Sequence, residues 1–323
     1  MTLILDIALL IAGFWILIEG ADKFVEGASS VAGNYKVSKI LIGLTIVAFG
    51  TSAPEFAVSI SSLLAGTGSI VLGNVIGSNI LNILLILGCS ALVHPLVVKS
   101  DTRKRELPMM LLITALLSVL IYDHLFDSSA ANIFSRSDAI AVLFFFAVFL
   151  YYLFEMAKNK KDDPKEKTTY LPLKKAWIYT IGGIAAIILG SQLAVTCAQN
   201  IDQFFHVSET MIALTVVALG TSLPELVTSI TATRKGEYDL AIGNVIGSNI
   251  FNIGVVLGIP VALFGSVNAV GFQWYDIAVM MLSAILLFVF SANDRKIGKT
   301  EGWIFLTLFT VYYAYVIYAG VAG

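Results

Sequence analysis

Charged residues make up only 13% of this 323-residue chain, about half the roughly 25% of an ordinary soluble domain. That shortage leaves too little polar surface to cover a soluble particle of this size. The 20 Lys and Arg against 22 Asp and Glu give a net charge of −2, so the basic patch that nucleic-acid binding demands is missing. Cysteine is scarce as well. Cys89 and Cys197 stand singly in apolar stretches with no Cys-x-x-Cys. This argues against a zinc site or a disulfide framework and reads as two buried thiols. The three histidines, His94, His124 and His206, fall at segment ends or in connections and form no motif. The N-terminal apolar run is not preceded by a basic region, so it reads as a first membrane span rather than a cleaved leader.

What abounds is apolar: 58% of residues are hydrophobic and the mean hydropathy is +0.87. Those values indicate an all-α polytopic membrane protein. Segments of the roughly 20 apolar residues needed to span a bilayer are expected near 3–32, 37–65, 70–93, 107–125, 138–157, 174–200, 207–233, 239–264, 274–291 and 302–321. The basic residues test this map. Eighteen of the 20 Lys and Arg fall in alternate connections, the opposite connections hold only Arg136, and Lys23 lies within the first span. The positive-inside rule then places every basic connection in the cytoplasm and both termini outside it. A plasma or bacterial inner membrane is the expected location. The charged stretch 158–169 reads as a solvated cytoplasmic connector.

Shifted by 170 residues, the sequence matches itself. GLTIVAFGTSAPE (43–55) overlies ALTVVALGTSLPE (213–225), and GNVIGSNILNILLILG (73–88) overlies GNVIGSNIFNIGVVLG (243–258). Without a gap, 25 of 49 positions from 40 to 88 are identical to their mates. The expected organisation is therefore a first five-helix repeat (1–157), a linker (158–173) and a second repeat (174–323). Five spans per copy is an odd number, so the second copy enters the membrane inverted. Inverted repeats are a recurring design of secondary transporters, whose sites lie near the midplane where interrupted helices of the two halves meet.

The duplicated segments carry the chemistry. Glu55 and Glu225 each lie deep in an apolar segment with no Lys or Arg near them in either motif. A charged side chain at the helix centre costs about 2.5–3.5 kcal/mol. An uncompensated buried carboxylate must take a proton or a cation. Ala48, Thr51, Ser52 and Glu55 share one helical face, as do Ala218, Thr221, Ser222 and Glu225. Pro54 and Pro224 remove an amide donor and bend the helix, which can turn backbone carbonyls toward a ligand. In the second block, Ser78 with Asn82 and Ser248 with Asn252 are i and i+4 pairs. Gly73, Gly77, Gly243 and Gly247 allow close helix approach. The resulting site is almost wholly oxygen, which hard cations such as calcium prefer. The absence of His and Cys disfavours zinc or copper. Glu19, Asp22, Lys23 and Glu26 of the first span have no charged mates in the second copy. They read as a vestibule or a Glu19–Lys23 packing pair.

The doubled GTSxPE and GNxxGSNxxN motifs resemble the two alpha-repeats of the sodium/calcium exchanger family, within the cation/calcium antiporter superfamily. The resemblance implies that Glu55 and Glu225 are the principal calcium ligands. It also implies that Thr51, Ser52, Thr221, Ser222, Ser78 and Ser248 line the sodium and calcium sites, with backbone oxygens of Ala48 and Ala218, and that Asn82 and Asn252 complete the centre. Many exchangers carry an aspartate at one of the last two positions; this chain has asparagine at both. Proton-coupled relatives tend to carry a GNxxE-type motif where this chain has GTSxPE, which favours sodium as the coupling ion. The expected activity is sodium/calcium antiport in a lipid bilayer, with no cofactor and no obligate protein partner. A proton-coupled or broader divalent-cation exchanger is the alternative. A passive cation channel, with the two facing glutamates as a selectivity ring, is a further one. An intramembrane enzyme lacks a nucleophile-and-base pair beside the carboxylates.

Overall fold

A computed structural model describes residues 3–64, 68–122, 132–158, 170–204, 218–268, 274–292 and 296–322. The described chain is almost entirely helical, as burial of backbone in hydrocarbon requires. In order the elements are α1 (Leu3–Tyr35), α2 (Lys39–Ile42), a π turn (Gly43–Val47), α3 (Ala48–Thr51), α4 (Ala53–Leu64), α5 (Gly68–Leu81), a π turn (Asn82–Leu87) and α6 (Gly88–Val93). Then come β1 (Leu96–Val97), α7 (Ser100–Lys104), α8 (Glu106–Ile121), β2 (Ile133–Phe134), α9 (Arg136–Lys158) and α10 (Leu173–Phe204). The chain ends with α11 (Ala218–Thr221), α12 (Leu223–Arg234), α13 (Tyr238–Phe251), a π turn (Asn252–Leu257), α14 (Gly258–Phe264), β3 (Val267–Asn268), α15 (Trp274–Ala292), β4 (Lys296–Ile297) and α16 (Lys299–Ala322).

Six described helical segments are long and apolar enough to cross a membrane: Ile70–Val93, Arg136–Lys158, Leu173–Leu193, Tyr238–Phe264, Trp274–Ala292 and Lys299–Tyr318. The bent pair Lys39–Thr51 and Ala53–Leu64 makes a seventh. These coincide with seven of the ten expected spans. Of the other three, α1 is long enough but carries Asp6, Glu19, Asp22, Lys23 and Glu26. Helix α8 has only 16 residues, and the expected span 107–125 ends beyond the described residues. The first part of the expected span 207–233 also lies outside them, as do residues 159–169 of the linker, His124 and His206.

The bend expected at Pro54 is present. The two arms of the second span meet at 45°, with Ser52 leaving helical geometry at φ −83°, ψ 8°. Ser222, two residues before Pro224, repeats this at φ −88°, ψ 3°. Two helices around these segments end alike. Lys36 (φ 54°) closes α1, before the first broken span, with Val37 N–H donating to Ala32 O, and Gly236 (φ 76°) closes α12, the helix of the second motif, with Glu237 N–H donating to Ala232 O. Both are left-handed caps that satisfy terminal carbonyls.

Two small sheets lie in the connections, and each joins the N-terminal half to the C-terminal half. Strand β1 pairs antiparallel with β4, Leu96 opposite Ile297, and β2 pairs with β3, Ile133 opposite Asn268. Basic connections gather with the first sheet. Lys39 pairs with Glu237 at 2.9 Å, Lys99 with Asp239 at 2.6 Å and Lys235 with Asp22 at 2.8 Å. Arg136 stands beside the other sheet, reaching the carbonyl of Leu263 at 3.5 Å. The packing pair suggested for Glu19 and Lys23 is not formed: Lys23 lies over the Tyr179 ring of α10, 5.4 Å from its centroid. Helices α1 and α10 come close enough at Gly183 and Gly190 that neither position has room for a side chain. A Cβ on Gly183 would meet Phe24 at 2.7 Å, and one on Gly190 would meet the Leu17 amide at 2.6 Å.

Candidate cation site between the repeats

The two GTSxPE segments exchange hydrogen bonds. Ser52 Oγ donates to Glu225 Oε1 at 2.9 Å, and its mate Ser222 Oγ donates to Glu55 Oε1 at 3.5 Å. Both glutamates are 1% exposed. Each carboxylate therefore receives a hydroxyl of the other repeat on one oxygen, while the second oxygen, Oε2, is buried without a partner. Among the described residues no ion pair involves either glutamate. Two acceptor-only groups so placed are a demand for positive charge from outside the protein.

The break at Ser52 explains how the hydroxyl reaches across. With Pro54 unable to donate, the chain leaves the helix for one residue and restarts at Ala53. In the second copy the freed carbonyl of Gly220 is taken by Ser191 Oγ at 3.0 Å. The carbonyl of Ala48 accepts from the Ser52 amide at 3.0 Å, with the Thr51 hydroxyl 3.4 Å away. Ala218 opens the turn α11, which Thr221 closes. Thr51 Oγ1 lies 3.1 Å from both the Val47 carbonyl and Asn244 Oδ1.

The second motif closes the centre. Ser78 Oγ is 3.4 Å from Ser222 Oγ, which links the two motifs. Ser248 Oγ is buried without a partner. Asn82 and Asn252 each begin a π turn, a distortion frequent at functional sites. Helix α12, carrying Glu225, packs on the turn of Asn82, and α4, carrying Glu55, packs on the turn of Asn252. The Oδ1 atoms of Asn82 and Asn252 are also buried without partners. The atoms left open are thus five oxygens: two carboxylate, two amide and one hydroxyl. Among the described residues no three His, Cys, Asp or Glu come together, so the coordinating capacity lies in this mixed oxygen set.

Four asparagines that spacing alone did not single out hold this arrangement. Asn74 Nδ2 donates to Glu55 O at 3.0 Å and Ser59 Oγ at 3.3 Å, and Asn244 Nδ2 donates to Glu225 O at 3.4 Å and Ser229 Oγ at 2.9 Å. Asn79 and Asn249 pair with Asn252 and Asn82. Their signal was present: each is identical to its mate 170 residues on. The glycine reading holds for Gly243 and Gly247, whose Cβ positions fall 2.9 Å from Ile40 O and 2.7 Å from Ala48 Cβ, and fails for Gly77, whose Cβ position has no described neighbour within 4 Å.

The family model for sodium/calcium exchanger protein matches this chain at residues 5–155 and at 175–318. The inner membrane protein YrbG of Escherichia coli is 37% identical over 298 residues, covering 88% of each chain. The sodium/calcium exchanger MaX1 of Methanosarcina acetivorans is 30% identical over 342 residues, covering 96% of this chain and 98% of that one. The structure of the sodium-calcium exchanger NCX_Mj soaked with Na+ and Sr2+ superposes with a TM-score of 0.84 at 32% identity, covering 97% of this chain and 99% of that chain.

Proposed function

Since the chain belongs to the sodium/calcium exchanger protein family, we propose that it is an antiporter moving calcium against sodium through one central site. The observation that carries this reading is the reciprocal contact of Ser52 with Glu225 and Ser222 with Glu55, which leaves one oxygen of each carboxylate bare. The ligands are Glu55 and Glu225, with Thr51, Ser52, Ser78, Thr221, Ser222, Ser248, Asn82 and Asn252 and the carbonyls of Ala48 and Ala218 around them. Six to eight oxygens suit calcium. One calcium or two sodium ions balance the two carboxylates.

Burial favours a carrier over an open pore. Glu55, Glu225, Asn82 and Asn252 are each 1% exposed and Ser248 is 0% exposed, so an ion at this centre leaves only after the protein moves. Alternating access supplies that movement, with ten spans arranged as inverted repeats over 1–157 and 174–323. The separate family-model matches to the two halves support the duplication, and an odd number of spans per half would invert the second copy. The clustering of basic connections around Glu237 and Asp239 supports termini outside the cytoplasm.

The test is uptake of radioactive calcium into vesicles holding the purified protein. Sodium-loaded vesicles diluted into sodium-free medium take up calcium, and potassium-loaded vesicles do not. An outward proton gradient does not substitute. Equal uptake from potassium-loaded vesicles overturns antiport in favour of a channel, and uptake driven by protons alone overturns sodium coupling.

A further inference from the structure

A primary amide has two ends of nearly the same size and opposite chemistry. Its oxygen accepts or ligates, and its NH2 only donates. An asparagine at a cation site is useful only with its oxygen toward the ion. Nothing in Asn82 or Asn252 itself fixes that choice.

The surroundings fix it. Asn252 Nδ2 donates to Asn79 Oδ1 at 3.1 Å, and Asn82 Nδ2 donates to Asn249 Oδ1 at 3.0 Å. All four side chains are 1% exposed, so water cannot replace a lost partner. The partners are themselves oriented. Asn79 Nδ2 donates to the backbone carbonyl of Asn249 at 3.4 Å, and Asn249 Nδ2 reaches the Met110 sulfur at 3.7 Å. A backbone carbonyl cannot turn into a donor. If Asn79 rotated, its NH2 would face the NH2 of Asn252, two donors with no acceptor between them. Each relay ends on an oxygen with no protein partner, Oδ1 of Asn252 or of Asn82. The two relays are mates under the 170-residue shift, and each crosses from one half to the other.

The geometry points to Asn79 and Asn249 as positioning residues that keep the carbonyl oxygens of Asn252 and Asn82 turned to the transported cation. This rests on the exchanger reading of the site. The relays differ in strength at their roots. A thioether is a weak acceptor beside a carbonyl, so the Met110–Asn249–Asn82 relay is the looser one. The same geometry disfavours a carboxylate at 252, whose oxygens would face Asn79 Oδ1, acceptor against acceptor.

The experiment compares wild type, Asn79→Leu and Met110→Leu in calcium uptake, and reads calcium affinity separately from calcium-dependent thermal stabilisation of the purified protein. Asn79→Leu keeps the volume and removes the acceptor. It raises the calcium KM about fivefold to tenfold, the size of one lost buried hydrogen bond, with the maximal rate close to wild type; the Asn252 NH2 and Asn249 carbonyl left unpaired lower the calcium-free melting temperature by a few degrees. Met110→Leu, a volume-conserving change, raises KM by a smaller factor of about two to three. In an Asn252→Ala background there is no amide to orient, so adding Asn79→Leu changes calcium affinity less than twofold. An unchanged KM in a folded Asn79→Leu protein overturns the inference. So does a further loss of the same size in the Asn252→Ala background, or a melting temperature that falls while KM stays. If Asn79→Leu does not fold, Met110→Leu carries the test, and an unaltered KM there overturns it. A wild type that calcium does not stabilise overturns the exchanger reading itself, a distinct result.

Discussion

Adding one methyl group at Gly247 tests whether the close approach of α13 to the broken second span builds the site. A Cβ there would lie 2.7 Å from Ala48 Cβ, 2.9 Å from Leu44 Cα and 3.0 Å from Leu44 O. Ordinary carbon contacts begin near 3.5 Å, so the helices must part by about 0.8 Å. Two of the three opposing atoms are backbone, so no rotamer change relieves the clash. Overpacking of this kind costs about 1–3 kcal/mol, offset by the roughly 1 kcal/mol that alanine gains over glycine in a helix. The stability change is therefore small, and the change at the site is not. Thr51 Oγ1 and Asn244 Oδ1, now 3.1 Å apart, would separate to about 3.9 Å, beyond hydrogen-bond range. Ser248 would move with its neighbour. Misplacement on the ångström scale can cost about two orders of magnitude in rate. Gly247→Ala is accordingly expected to lose at least about tenfold in sodium-driven calcium uptake while its melting temperature falls by no more than a few degrees. Gly182→Ala is the control, since among the described residues nothing lies within 4 Å of its Cβ position. It should transport normally and melt no lower than wild type. Wild-type uptake by Gly247→Ala would refute the reasoning.

Three further outcomes are expected. Glu55→Gln and Glu225→Gln each remove a carboxylate charge at nearly constant size and abolish calcium uptake with the protein still monodisperse, whereas Glu19→Gln, on the exposed side of α1, retains it; uptake by either of the first two would exclude that glutamate as a primary ligand. Ser52→Ala weakens calcium binding more than Ser222→Ala, because the first removes a 2.9 Å hydrogen bond to a carboxylate and the second a 3.5 Å one; a bond to a charged group is worth about 1.5–3 kcal/mol, and the reverse order in KM would show that the hydroxyls act otherwise. Ser191→Ala strips the Gly220 carbonyl of the hydroxyl that stands in for the missing Pro224 amide and costs about 1–3 kcal/mol, read as earlier thermal unfolding; unchanged melting would mean the carbonyl finds another donor.

The sequence reading reached the glutamates, the bends and the duplication because each is a local property. A carboxylate in an apolar run, a proline in a helix and a repeated motif need no knowledge of what lies opposite. It did not reach the partners. That Ser52 serves Glu225 rather than Glu55 follows from how the halves face each other, which no helical wheel contains. Asn79 and Asn249 are illegible for the same reason. They sit one residue beyond the Ser78 and Ser248 face, and their role exists only across the interface. The π turns at Asn82 and Asn252 add a residue to the turn and shift the phase that an i, i+4 reading assumes. In α1, Lys23 was given a partner in its own helix, while the structure supplies Tyr179 from the other half.

The exchange of partners between halves also bears on how the protein is made. Translation delivers Glu55, Asn79 and Asn82 before Ser222, Asn249 and Asn252 exist. Until then a carboxylate and several amides stand in the bilayer without the hydroxyls and carbonyls that later hold them, and strands β1 and β2 have bare edges. The distance in sequence is large, from Leu96 to Ile297 in one sheet and from Ile133 to Asn268 in the other. Until the C-terminal half exists, the N-terminal half lacks the groups that hold Glu55, Asn79 and Asn82 in the finished protein. Severed after residue 157, it would keep Glu55, Asn79 and Asn82 without Ser222, Asn249 and Asn252, and so could not assemble the site alone.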